Sequence, residues 1–236
     1  ECVKACGTLE GVNRFLGSNQ NLRRVLSKFQ HYRRFIKEYF TEDNIMFQSL
    51  DNRQLFFVAP IEAGGKRVSL IGLNSAWMSA YNWKPRQYLH KADDERNLIV
   101  GERQLRDALD EVDEQQTDII IAAMHHPIDW LNPYERERIG GLLPRNCSML
   151  LHGHLHQSGI VGHTGPSGKI TTIAAGASYL NVEESLSYTG YNFVQLNPDN
   201  DQGTIYMRRY SKRHGGFWTT DTSYPDIPDG LYPFTL

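Results

Sequence analysis

The sequence predicts one α/β domain, in which amphipathic helices alternate with strands buried on both faces and a group of antiparallel strands follows. Three observations carry that reading. The runs Asp118–Met124 and Ser148–Leu151 are almost continuously apolar, as strands covered on both sides are. Leu22, Val25, Leu26, Phe29, Tyr32, Ile36, Tyr39 and Phe40 recur at helical steps, and so do Leu105, Leu109 and Val112. The later runs are bounded by turn-forming residues such as Asn197-Pro198-Asp199-Asn200.

Taken in order, a short polar opening with glycines leads into the helix at 22–40. Its outer face carries Arg23, Arg24, Lys28, Arg33, Arg34 and Lys37 against Glu38 alone, which reads as a solvated face or as a patch for phosphate or nucleic acid. Leu55–Val58 and Val68–Leu73 have strand length and are joined across Gly64-Gly65. The helix from Gly101 feeds the first buried strand. A polar stretch with Pro133 and a helix at Tyr134–Ile139 then leads to the second. Ile170–Ala175, Tyr191–Leu196 and Gly203–Tyr210 read as strands of antiparallel character, and the proline-bearing tail from Gly215 as irregular surface chain. No repeat or linker divides residues 1–236.

At 236 residues, with 40% hydrophobic and 22% charged, the composition is that of a folded domain, which excludes disorder. A chain of this size buries roughly 70–75% of its unfolded surface, enough for a core without disulfides or a structural metal. Cys2, Cys6 and Cys147 are odd in number and form no CxxC pair, which fits a reducing compartment, here taken as cytoplasmic, or simple packing better than a disulfide framework or a zinc knuckle. The net charge of −2 shows no general bias toward nucleic acid or anionic membrane. No apolar run approaches the ~18 residues of a spanning helix.

Five of the nine histidines (His125, His126, His152, His154, His156) fall within residues 125–156, far more than even spacing would place there. His125-His126-Pro127 directly follows one buried strand and Gly153-His154-Leu155-His156 the other. If the strands are adjacent and parallel, both histidine groups share one edge of the sheet, where open α/β sheets bind ligands. The two-residue period of an extended chain would aim His154 and His156 at one site and turn Leu155 into the core, with a bend at Gly153. His152 and His163 read as ordinary polar residues of the core or surface.

Ala123-Met124-His125-His126-Pro127, followed by Leu151-His152-Gly153-His154-Leu155-His156, resembles the last two motifs, H-x-P and G-H-x-H, of the calcineurin-like metallophosphoesterases. With Gly72–Trp77 before them and Ala174–Ser178 after them, the resemblance spans roughly residues 55–210. It implies a four-layer αββα sandwich and a dinuclear centre of two divalent or trivalent transition-metal ions, Mn, Fe, Zn or Ni. His125 and His154 resemble ligands of one ion and His156 a ligand of the other. His126 matches no ligand position and is expected at the rim. The family's earlier motifs, D-x-H, G-D and G-N-H-D/E, do not occur in this sequence, and with them go the bridging carboxylate, the Asn ligand and the His that assists the leaving group. The expectation is a C-terminal portion of such a domain, lacking its N-terminal strands and the catalytic residues they carry.

The implied activity is metal-dependent hydrolysis of a phosphomonoester or phosphodiester, on a phosphorylated small molecule or a phosphodiester substrate, with no membrane partner. Two other readings stand beside it. One is a catalytically inactive domain kept for binding or regulation. The other is a nuclease of the same superfamily, whose strip Tyr206, Arg208, Arg209, Tyr210, Lys212, Arg213, His214, Phe217 and Trp218 would hold a nucleic acid; a charged edge strand explains the same residues. If the N-terminal strands are missing, the first sheet is expected to show an unpaired apolar edge or an uncovered apolar face near the histidines.

Overall fold

A computed structural model describes residues 6–39, 55–79, 94–113, 117–156, 158–178, 189–197 and 199–236. Helices α1 (Leu9–Leu16), α2 (Asn19–Ser27) and α3 (Gln30–Tyr39) come first, then β1 (Phe56–Ala63), β2 (Lys66–Leu73), α4 (Glu102–Asp113) and β3 (Ile119–Met124). A 3-10 turn at Ile128–Trp130 leads to α5 (Pro133–Asn146) and β4 (Met149–His152). The chain ends with β5 (Gly159–Gly165), β6 (Gly168–Ala174), β7 (Gly190–Asn197), β8 (Gln202–Ser211), β9 (Phe217–Thr220) and β10 (Leu231–Thr235).

The first sheet has the order β1-β2-β3-β4-β6-β5, with β2, β3, β4 and β6 mutually parallel and the two outer strands antiparallel to their neighbours. Gly64 and Gly65 close the β1–β2 hairpin with φ of 58° and 74°, the double left-handed conformation that a two-residue turn of this kind requires. In the second sheet β8 is central, paired along its length with β7 and on its other side with β10 and then β9.

Side-chain alternation divides the first sheet into two faces. Val58, Ile71, Ala122 and Leu150 pack against Leu105, Ala108 and Val112 of α4 and Ile139, Leu142 and Leu143 of α5. On the other face Met149 and Ile173 meet Ile205 and Met207 of the second sheet. The architecture is thus a mixed α/β sandwich of two facing sheets with helices outside the first. Buried charge ties the helices together. The Glu135 carboxylate accepts the Val100 and Gly101 backbone N–H groups at 3.2 and 2.8 Å, and Glu102 accepts from Arg106 and Arg138, each at 2.6 Å.

Several local expectations change. The polar opening contains α1, capped by Thr8, with Val12, Phe15 and Leu16 buried at positions i, i+3 and i+4. The single helix at 22–40 is two helices broken between Ser27 and Gln30, and α3 buries Ile36 while Tyr32 and Tyr39 stay exposed; Phe40 lies outside the described residues. Lys28 is not merely part of a solvated face: its ammonium donates to the carbonyls of Ala76, Trp77 and Ser79 and pins α2 to the loop after β2. The tail from Gly215 is not irregular throughout, since it forms β9 and β10. Pro233 is tolerated there because β10 lies at a sheet edge, where a missing N–H costs no ladder bond. Finally β8 is no edge strand, so protective edge charge does not explain Arg208 and Arg209. Tyr210 and Trp218 are cross-strand partners with ring centroids 5.3 Å apart.

Candidate metal centre

The parallel register decides which residues meet. Leu73, Met124 and His152 are direct neighbours across β2, β3 and β4. Extending the same register by two residues aligns Ser75, His126 and His154 at the carboxyl edge of the sheet. The ladder does continue, because the Gly153 N–H donates to the His125 carbonyl at 3.1 Å. The strand itself ends at Met124, and the turn Ile128–Trp130 that follows Pro127 brings Trp130 against the histidines.

His125 Nε2 lies 3.0 Å from His154 Nδ1. A ring nitrogen of His126 joins them, and the three nitrogens lie within 4.8 Å of one another. His126 is 3% exposed, and its Nδ1 sits 3.0 Å from Ser75 Oγ. Trp130 walls the cluster: its ring meets His154 edge to face at 4.3 Å between centroids and lies nearly parallel to His126 at 6.1 Å.

The electrostatics favour neutral imidazoles. Burial pushes the pKa of His125 down, with a further contribution from His156. Burial lowers His126 to about 4, helped by His154 and His125 and opposed by its hydrogen bond with Ser75. His152 is also lowered, chiefly by burial, against the raising influence of the Gly153 backbone and Asp129. Neutral rings have the lone pair that metal binding needs. His125 Nε2 and His154 Nδ1, hydrogen-bonded at 3.0 Å, need open by only about 0.3–0.4 Å to reach the separation of two nitrogens on one tetrahedral ion at about 2.0–2.1 Å. The donor set therefore suits one borderline ion of the zinc type, and among the described residues no carboxylate joins the cluster.

The structure thus brings together His125 and His154, as expected, and adds His126, which is buried behind them instead of lying at the rim. His156 is exposed, acts on the charge of His125, and lies outside the group of three. The bend expected at Gly153 is located elsewhere: His154 and His156 have φ of 69° and 56°. These left-handed residues break the two-residue alternation, so Leu155 is 39% exposed instead of turning into the core. His163 lies exposed on β5. Asp129 is exposed and near Arg136 at 3.5 Å. Ser75 and Trp130 are the two neighbours that sequence reasoning missed. A cavity of about 620 Å³ lies beside His125, lined by Phe29, Phe57, Gly72, Ala123 and Met124 among others.

No protein-family model and no curated sequence matches the chain. Solved structures that align with it include the sulfate thiohydrolase SoxB of Thermus thermophilus in complex with glycerol, at 14% identity and a TM-score of 0.37 over 59% of this chain and 22% of that one. Vps29 of Chaetomium thermophilum aligns at 9% identity and a TM-score of 0.29 over 77% of this chain and 60% of its own. Vps29 of Entamoeba histolytica, solved with Zn2+, aligns at 10% identity and a TM-score of 0.25, over 70% and 59%. The chain therefore spans less than two thirds of the length of each of these proteins.

Proposed function

We propose that this chain supplies the H-x-P and G-H-x-H half of a metal-dependent phosphoesterase centre, acting on phosphomonoesters or phosphodiesters. The observation that carries the reading is the meeting of His125 Nε2 and His154 Nδ1, 3.0 Å apart, at the carboxyl ends of adjacent parallel strands. These two residues hold the first ion. His156, on the same loop, is the ligand of the second once further ligands complete that site. Mn, Fe, Zn or Ni suits imidazole donors. When bound, the metal supplies Lewis acidity toward phosphate oxygens and makes water a better nucleophile at neutral pH. The chain's own groups orient: Pro127 fixes the turn after His125, and Trp130 excludes water from one side of His154. The buried thiols of Cys6 and Cys147 suit a cytoplasmic setting.

A second reading is favoured by one specific observation, the absence of a carboxylate from the cluster among the described residues. It makes the chain a metal-binding or regulatory domain without turnover. The two separate on bis(p-nitrophenyl) phosphate with Mn2+. The 236 residues alone should bind metal weakly and turn over no substrate. A gene product carrying D-x-H, G-D and G-N-H-D/E motifs ahead of Glu1 should hydrolyse it and lose that activity to a chelator. Inactivity of such a product would leave the binding domain. Turnover by the present chain would mean that other ligands complete the site, with Asp129, Asp94 and Asp93, the last outside the described residues, the first to test.

A further inference from the structure

We propose that Ser75 holds His126 as the Nε2–H tautomer, so that His126 is a hydrogen-bond donor within the histidine cluster and not a metal ligand. Hydrogen-bond accounting at a buried hydroxyl leads to this. Ser75 is 1% exposed, and its Oγ has two partners among the described residues: the His126 backbone nitrogen at 3.1 Å and His126 Nδ1 at 3.0 Å. The backbone N–H can only donate, so Oγ accepts from it. The hydroxyl proton then has one acceptor within reach, the Nδ1 lone pair. If Nδ1 carried the proton instead, two N–H groups would converge on one oxygen and the buried O–H would have no acceptor. An unsatisfied buried donor shifts such an equilibrium by roughly tenfold or more. In the neutral ring the remaining proton is therefore on Nε2.

The sheet builds this pairing in. Ser75 stands two residues beyond Leu73 and His126 two beyond Met124, and Leu73 and Met124 are register partners, so the Oγ is delivered to His126 by the parallel ladder itself. With Nδ1 occupied, Nε2 is the nitrogen left for the cluster, whose nitrogens lie within 4.8 Å of one another. Ligation through Nε2 would first have to move its proton to Nδ1, against the roughly tenfold bias that Ser75 sets, a handicap that His125 and His154 do not carry. His125 and His154 keep the metal-binding role, while His126 presents an N–H that can meet an anionic phosphoryl oxygen without adding a positive charge. Ser75 is then a positioning residue and acts through His126. The tautomer stands without the phosphoesterase reading; the phosphoryl contact rests on it.

Long-range 1H–15N correlation of the metal-free, 15N-histidine-labelled chain reads the tautomer directly. His126 should show an unprotonated Nδ1 and a protonated Nε2. Ser75→Ala should move the ratio toward Nδ1–H by roughly tenfold, and Ser75→Thr, which keeps the hydroxyl, should restore it. A protonated Nδ1 in the wild type, or a ratio indifferent to Ser75→Ala in a folded variant, overturns the assignment. Zn2+ affinity tests the role. His126→Gln leaves both proposed ligands in place and should weaken binding less than His125→Ala or His154→Ala, each of which removes a ligand outright. Equal losses in all three would make His126 a ligand and overturn the proposal. A wild-type chain that binds no Zn2+ overturns the metal reading and the phosphoryl contact, and the tautomer measured in the metal-free protein still stands or falls by its own signal.

Discussion

His156 is held at a φ of 56°, and replacing it by glycine or by alanine separates backbone strain from side-chain chemistry. Both substitutions remove the imidazole. Only glycine occupies the left-handed region without a Cβ clash, which costs other residues roughly 1–2 kcal/mol. Glycine gives back roughly 0.5–1 kcal/mol through the greater freedom of its unfolded chain. His156 is exposed and makes no core contact that either change would remove. The net expectation is that His156→Gly is more stable than His156→Ala by about 0.5–1 kcal/mol, which is roughly 1–4 °C in Tm for a domain of this size. Urea denaturation and thermal melting followed by circular dichroism measure the difference. His156→Ala as stable as His156→Gly, or more so, would refute the left-handed turn. Gly153→Ala is the control. Its φ is not positive and its added Cβ would meet nothing closer than the His125 carbonyl at 3.9 Å, so it should stay within about 0.5 kcal/mol of wild type.

Other outcomes follow from buried groups. Burial raises the pKa of Glu135, so its contribution to stability is fully present below about pH 4.5 and is lost as pH rises through the folded value; Glu135→Gln should flatten that part of the stability profile in urea titrations. His126 acts in the opposite sense. Its folded pKa of about 4 lies below the ordinary value near 6.5, so acidification across that window should remove roughly 3 kcal/mol, and His126→Gln should abolish that loss. Gly72→Ala would place a methyl on the Phe57 ring and should cost about 1–3 kcal/mol by equilibrium unfolding, with the ring displaced toward the neighbouring cavity.

The histidine edge was legible because two independent patterns converge there. Continuous apolarity marked β3 and β4 as buried parallel strands, and a strand end is where such sheets place polar chemistry. The partners of the histidines were harder to see. Ser75 belongs beside His126 only once the register Leu73 to Met124 is known, and register is a property of paired strands that periodicity in one strand does not carry. Trp130 reaches the cluster through a three-residue turn, too short to leave a periodic signal. The alternation rule failed at Leu155 because it presumes extended backbone, and two left-handed histidines interrupt it. Likewise α1 was hidden by the glycines around it, although Thr8 and the spacing Val12, Phe15, Leu16 were there to be read. The edge reading of β8 failed because β9, a four-residue strand behind Gly215-Gly216, and β10, which carries Pro233, complete its second side.

The account rests on His125 and His154 sharing one ion, and anomalous diffraction from crystals of the chain soaked with Zn2+ tests this most directly. The expected result is one peak about 2.0–2.1 Å from both His125 Nε2 and His154 Nδ1, with no closer approach to His126 than a hydrogen-bonded neighbour makes. A Zn2+ peak bound elsewhere, or the two nitrogens still hydrogen-bonded to each other at saturating Zn2+, would contradict it.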